Sequence, residues 1–132
     1  MEKKFINPTG ISKPRGYTHV VSAQGGTTIY VSGQVAFDVD GNMVGKGDLR
    51  AQAEKATENL VAALKAAGAT PADVVKANTY VVNFKQDDLR IVRDVRARVF
   101  PADNPPASTL VGVQALAVEG LLIEMEAIAV VA

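Results

Sequence analysis

Two carboxylates lie at alternate positions in the most apolar segment of the chain, Leu121 to Ala132. The segment is rich in β-forming residues, and strand alternation would place Glu124 and Glu126 on one face. An ionised carboxylate among apolar groups is costly unless a partner or water satisfies it. The placement therefore indicates a site, a buried pair or a subunit boundary rather than a plain solvated edge. Of the two, Glu124 is the stronger candidate for a functional role.

A glycine interrupts an otherwise regular β-forming run at Ser32-Gly33-Gln34. A glycine inside a strand often permits close approach of a ligand or of another backbone. The alternative interpretation is a plain bulge or bend, and the sequence leaves both open.

The second predicted helix has a basic side formed by four arginines. They are Arg90, Arg93, Arg96 and Arg98. A solvated face, balanced by the nearby aspartates, is favoured over a nucleic-acid surface. That interpretation leaves open that one of the arginines points into a site.

Composition excludes several classes of protein. The chain has 14 basic and 14 acidic residues and a formal net charge of zero, which argues against a dedicated nucleic-acid binder. It has no cysteine and a single histidine, His19, so thiolate and all-histidine metal sites are excluded within one chain. We therefore expect no metal site of either kind. The N-terminus shows no secretory signal and no segment has membrane-spanning length, so the predicted compartment is the cytoplasm.

The pattern of the chain predicts one domain, residues 1–132, with six strands and two helices. Asp48 is expected to cap the first helix, which Gly68 closes, and Asp87-Asp88 to open the second. Gly25-Gly26 between the second and third strands predicts a hairpin. The predicted strands are 3–6, 19–24, 27–37, 74–82, 108–116 and 121–131.

Two helices can cover only one face of such a sheet, because each apolar face must be buried against something. The uncovered face would be apolar, and an exposed apolar patch of that size marks an interface. The pattern therefore predicts a homo-oligomer. The residues expected on that face are Tyr80, Val82, Leu110, Ile128 and Val130.

Seven short segments, taken in order, resemble the RidA/YjgF family, also called the L-PSP endoribonuclease-like family. The resemblance covers nearly the whole chain, and its specificity comes from the shared order and spacing of the segments. They are Ile6-Asn7-Pro8, Arg15-Gly16-Tyr17, residues 30–34, Ala66-Ala67-Gly68, residues 73–76, Pro106-Ala107-Ser108 and residues 123–129.

The resemblance implies an α+β, chorismate-mutase-like fold: a mixed six-stranded sheet with two helices on one face, assembled as a homotrimer. It also implies ligand clefts between adjacent subunits. The best-known members hydrolyse reactive enamine and imine intermediates, such as 2-aminoacrylate, to 2-keto acids and ammonia. They need no cofactor or metal.

The family's site residues carry over only in part. The glutamate that handles water matches Glu124, and the tyrosine near the N-terminus matches Tyr17. The arginine that follows Pro-Ala and clamps the substrate carboxylate is replaced by Ser108, which has no charge. Two alternatives could compensate for the missing arginine. Arg93 supplies the positive charge in the first, and the Ser108 and Thr109 hydroxyls bind a different ligand in the second. Ser32 and Gly33 complete the expected pocket.

The expected function is therefore a RidA-like hydrolase of enamines or imines with a divergent substrate range. The rival interpretations are a trimer that binds small carboxylates without turnover and a chaperone-like protein that uses its apolar surface. RNA cleavage is disfavoured by the neutral charge, the few aromatic residues and the lack of a histidine pair.

Overall fold

The computed structural model describes residues 1–132 as six β-strands and two α-helices, so the predicted α+β class is confirmed. A single turn of 3-10 helix, Pro71–Asp73, precedes the fourth strand. Neither helix is long and apolar enough to cross a membrane. In chain order the elements are β1 (Glu2–Ile6), β2 (Val20–Gln24), β3 (Thr27–Gln34), α1 (Leu49–Ala66), β4 (Val74–Val82), α2 (Asp88–Ala97), β5 (Ala107–Val113) and β6 (Ile123–Val131).

The six strands form two sheets rather than the single predicted one. Four strands form a mixed sheet in the order β3-β6-β4-β5, and β1 pairs only with β2. Strands β4 and β5 are parallel, while the other pairs are antiparallel. A parallel pair needs a crossover connection, and α2 supplies it.

The hairpin predicted at Gly25-Gly26 is wrong. Strand β2 pairs with β1, and β3 pairs with β6 from the end of the chain. The two glycines instead carry the chain past the end of β6, both at a φ of 76°. A Cβ on Gly26 would overlap the carbonyl oxygen of Val131, so only glycine permits this close approach.

Helix α1 forms as its sequence pattern predicts. The Asp48 side chain caps it by accepting a hydrogen bond from the Ala51 amide at 3.1 Å. Gly68, at a φ of 80°, follows its C-terminal end. The buried stripe contains Ala53, Ala56, Leu60 and Leu64, which recur at helical spacing.

Both helices pack on one face of the four-stranded sheet. The strand residues of that packed face include Val81, Ile123 and Met125, each no more than 1% exposed. We call the opposite face, which no helix covers, the open face. Strand alternation places Tyr80, Val82, Ile128 and Val130 on that side, as predicted, but Val130 is buried there, at 4% exposure.

The prediction that Leu110 lies on the open face is wrong. Its register partner on β4 is the fully buried Thr79, so both point toward the helices, and Leu110 packs against the core. The prediction failed because it did not include the β4–β5 register, which sets the face for each residue of β5.

A buried glutamine links three parts of the fold. Gln52 of α1 is fully buried, and its Nε2 donates to the carbonyl of Gly120 at 3.0 Å and to that of Gly45 at 3.3 Å. Its Oε1 accepts from the Leu122 amide at 2.8 Å. One side chain therefore forms hydrogen bonds to backbone groups of two loops that lie beside the helix.

We expect Gln52→Leu to lower the free energy of unfolding by about 3 kcal/mol, because it leaves a buried backbone amide and a carbonyl without partners. Urea unfolding at a fixed protein concentration measures the change. Glu58→Gln, on the exposed side of the same helix, is the control and should change stability by no more than about 0.5 kcal/mol. Equal effects of the two changes would contradict the role given to Gln52.

Candidate functional site

The predicted site residues fall into two groups on opposite sides of the four-stranded sheet. Tyr17, Arg93 and Ser108 line one cavity on the helix side. Ser32 and Glu124 lie on the open face, where Gly33 lies against the Glu124 side chain. Within one subunit the sheet therefore separates the two groups.

The two adjacent hydroxyls that were predicted to act together point in opposite directions. Ser108 pairs in register with Ala77 of the packed face and lines the cavity, whereas Thr109 pairs with Asn78 of the open face. The Thr109 hydroxyl accepts a hydrogen bond from Lys76 Nζ at 2.9 Å. Thr109 therefore does not line the cavity in this subunit.

The cavity has a volume of about 520 Å³ and lies between α2, the start of β5 and the segment around Tyr17. Buried Thr18 fixes that segment. Its amide donates to the Pro106 carbonyl at 3.2 Å, and its hydroxyl donates to the Pro105 carbonyl. The Tyr17 ring packs edge-on against His19, whose Nε2 lies 2.6 Å from the Ser12 carbonyl oxygen. We name this space the arginine cavity after Arg15, Arg93 and Arg96, which line it.

Of the basic residues of α2, two point into the cavity, which the sequence left open. Arg93 is exposed at its edge, and Arg96 is partly buried deeper in. The Arg96 guanidinium lies 5.1 Å from the centre of the Phe100 ring, and burial lowers its pKa. Its Nη1 is buried and has no hydrogen-bond partner. Sequence reasoning favoured Arg93, and the helical pattern does not distinguish the two, since each follows a buried valine, Val92 or Val95.

On the open face, the Glu124 carboxylate lies directly against Gly33. The β3–β6 register shifts between Val31 and Gln34, so Gly33 lies in a bulge. A Cβ on Gly33 would lie 2.6 Å from the carboxylate carbon of Glu124 and would overlap one of its oxygens. The bulge is therefore observed, and the group that approaches Gly33 is the Glu124 side chain rather than a ligand or another backbone. Glu124 makes no side-chain hydrogen bond or salt bridge in this subunit.

Glu126 is bonded differently from Glu124, although both face the same way. It accepts hydrogen bonds from the Tyr80 hydroxyl and from Asn78 Nδ2, the latter at 3.3 Å. The hydrogen bond to Glu126 raises the pKa of Tyr80, as do burial and the charges of Glu126 and Glu124. The sequence singled out neither Asn78 nor Tyr80 as a partner, since their proximity depends on the β4–β6 register.

The family model described as endoribonuclease L-PSP matches residues 10–131. The chain belongs to this family. The RidA/YjgF resemblance is thereby confirmed.

Individual members of the L-PSP family resemble the chain over nearly its whole length. The 2-iminobutanoate/2-iminopropanoate deaminase of Dermatophagoides farinae is 35% identical over 98% of this chain and 97% of its own. The Rid-family protein YyfB of Yersinia pestis, of unknown function, is 41% identical, with a TM-score of 0.93 over 99% of this chain and 100% of its own. RidA from an Antarctic Psychrobacter is 30% identical, with a TM-score of 0.70 over 91% and 92%.

The raised pKa of Tyr80 gives a test of the open-face cluster. Phenolate absorbance should show one tyrosine titrating above the ordinary value of 10.0, because Tyr80 must lose its proton beside two carboxylates. The folded state then holds that proton more tightly than the unfolded state. Its contribution to stability is complete below pH 10 and is lost as the pH rises through the folded pKa.

We expect Tyr80→Phe to remove this late-titrating phase, and Glu126→Gln to move it toward lower pH. Tyr30→Phe is the control, because the Tyr30 side chain is 78% exposed on the same face. Persistence of the late phase in Tyr80→Phe would contradict the assignment.

Proposed function

We propose that this chain is a Rid-type hydrolase that deaminates reactive imines or enamines to a carbonyl product and ammonia, with a substrate range of its own. The observation that carries the proposal is the Glu124 carboxylate, fixed against Gly33 and without a partner. Family membership and the relative named as a deaminase of 2-iminobutanoate and 2-iminopropanoate support the same chemistry.

Glu124 is suited to act on water because one side of its carboxylate is closed by backbone while its oxygens remain free to accept. In the proposed reaction it takes a proton from water as the oxygen bonds to the imine carbon. Because the imine nitrogen enters protonated, this addition gives a neutral carbinolamine. Glu124 returns its proton to the nitrogen, and the C–N bond then breaks with its electron pair leaving on ammonia. Glu124 takes up the hydroxyl proton as the carbonyl forms, and that proton leaves with ammonia as ammonium. No redox step occurs, so the reaction needs no oxidant or reductant.

The proposed active site requires two copies of the chain. Glu124 and the arginine cavity lie on opposite sides of one sheet, so a substrate held in the cavity cannot meet the Glu124 of the same copy. If the open face of one copy packs near the cavity of the next, the two half-sites combine. A head-to-tail contact that closes on itself gives a ring, and the homotrimer expected for the family is such a ring.

The second candidate function is ligand binding without turnover, and Ser108 favours it. A hydroxyl at that position cannot hold a carboxylate with the strength of a guanidinium. Under this alternative, the assembly binds small carboxylates in the arginine cavity and releases them unchanged.

We expect Glu124→Gln to slow imine hydrolysis about 100-fold or more, because the amide cannot accept the proton of water. The imine is generated by an L-amino-acid oxidase, and its loss is followed by semicarbazide trapping. Glu126→Gln is the matched control, since Glu126 lies on the same face of the same strand but is occupied by Tyr80 and Asn78. Undiminished turnover in Glu124→Gln would overturn the assigned role, and absence of turnover in the wild type would favour the binding alternative.

A mixing experiment tests whether each site uses two copies. We expect Glu124→Gln and the double variant Tyr17→Ala/Arg93→Ala to be impaired separately. Unfolded together and refolded as mixed assemblies, they should recover about a quarter of wild-type activity, because about one site in four then combines two intact halves. Glu124→Gln refolded alone controls for recovery. No gain on mixing would show that one copy carries the whole site.

A further inference from the structure

The arginine cavity concentrates positive charge in a chain whose formal net charge is zero. Three arginines line it, and no aspartate or glutamate does. None of Arg15, Arg93 and Arg96 takes part in a salt bridge. Elsewhere on the same two helices arginines are paired, Arg50 with Asp94 at 3.2 Å and Arg98 with Glu54 at 3.4 Å. Arg90 also lacks a carboxylate partner, but it is exposed to solvent, whereas Arg96 is partly buried inside the cavity.

Arg96 differs from the other two arginines because part of its guanidinium is removed from water. Its Nη1 is buried without a hydrogen-bond partner, whereas Arg93 and Arg15 are exposed and can be solvated. A buried, unsatisfied donor of a charged group is unfavourable in the unliganded protein. Packing over the Phe100 ring, at 5.1 Å, holds the guanidinium in place without satisfying its donors. An anion in the cavity would accept hydrogen bonds from the other guanidinium nitrogens, which also lack partners but are not buried.

The surroundings of Arg96 indicate the size and polarity of that anion. Leu89, Val92 and Leu110 line the same cavity and offer apolar contact to a short side chain. The Ser108 hydroxyl is the polar group available from β5. A small organic acid with one carboxylate and a short apolar chain matches this lining.

We propose that Arg96 binds the substrate carboxylate in the arginine cavity and so supplies from α2 the charge that Ser108 lacks. The identity of the ligand as an imino acid rests on the proposed function; the carboxylate site itself rests on Arg96. A guanidinium can hold both carboxylate oxygens at once, which fixes orientation as well as charge.

The small side chain at position 108 is consistent with this assignment. Ser108 and Arg96 line the same cavity from β5 and from α2. An arginine at 108 would place a second guanidinium near the buried one, and the two like charges would repel each other. On this proposal one guanidinium at the carboxylate suffices, whether the strand or the helix supplies it.

The test uses 2-oxobutanoate, the keto acid expected from a four-carbon imine, as a non-reacting probe for calorimetric binding. We expect Arg96→Met to weaken its binding about tenfold or more, and Arg90→Met, an exposed change on the same helix, to leave it unchanged. The neutral 2-oxobutanamide should bind the wild type as weakly as 2-oxobutanoate binds Arg96→Met. In the Arg96→Met background, Ser108→Arg should restore binding of the carboxylate.

Thermal unfolding without ligand separates a binding role from a structural one. Arg96→Met should unfold at the same or a higher temperature than the wild type, because it removes a buried unsatisfied donor. A lower melting temperature together with failure of Ser108→Arg to restore binding would overturn the proposal. Unchanged binding in Arg96→Met, or no binding of 2-oxobutanoate by the wild type, would also overturn it.

The two proposals fail in different ways. If binding depends on Arg96 but the wild type hydrolyses no imine, the carboxylate site stands and the hydrolase function is wrong. If the wild type hydrolyses imines through Glu124 and Arg96→Met keeps its KM, the function stands and the role of Arg96 is wrong. Glu124→Gln should keep full binding of 2-oxobutanoate while losing turnover.

Discussion

Strand β6 runs between β3 and β4, and its side chains alternate between the packed face and the open face. Ile123, Met125, Ala127 and Ala129 are buried against the helices, so the carboxylates between them must face the other way. A slip of one residue would turn both carboxylates into the core and expose the apolar set. The burial of four apolar side chains therefore fixes the position of Glu124, and Gly33 provides the space for its carboxylate.

The same alternation explains why the chemistry of this chain is divided. Neighbouring residues of β5 lie on opposite sides of the sheet, so Ser108 joins the cavity while Thr109 joins the open face. A cavity built from α2 and β5 lies on the helix side, and Glu124 lies on the other. A single sheet thus carries the two groups on opposite sides, and in the proposed reaction a second copy brings them together.

Predictions that depend on neighbouring residues in the sequence were confirmed more often than predictions that depend on long-range strand pairing. The cap at Asp48, the glycine after α1 and the alternation of β6 each depend on nearby residues, and the structure follows them. The prediction of a hairpin at Gly25-Gly26 was wrong because β3 pairs with β6, about a hundred residues away. The predicted position of Leu110 was wrong for a similar reason, since the register with β4 decides on which face of the sheet it lies. The family resemblance identified Glu124 and Tyr17 as candidate site residues, but it did not show on which side of the sheet each would lie.

Arg96 shows how a chain with a formal net charge of zero can concentrate positive charge in one cavity. A carboxylate of the protein beside its guanidinium would satisfy the buried donor and make the fold more stable, but it would also occupy the place of any anionic ligand. The cavity instead keeps three arginines and no acid, whereas Arg50 and Arg98, outside it, each pair with a carboxylate. The partly buried, unpaired guanidinium is thus a cost to the empty protein that the opposite charge of a bound anion would offset. Since that gain exists only with the ligand present, Arg96 favours the liganded state in a way that the exposed Arg93, already solvated when the cavity is empty, cannot.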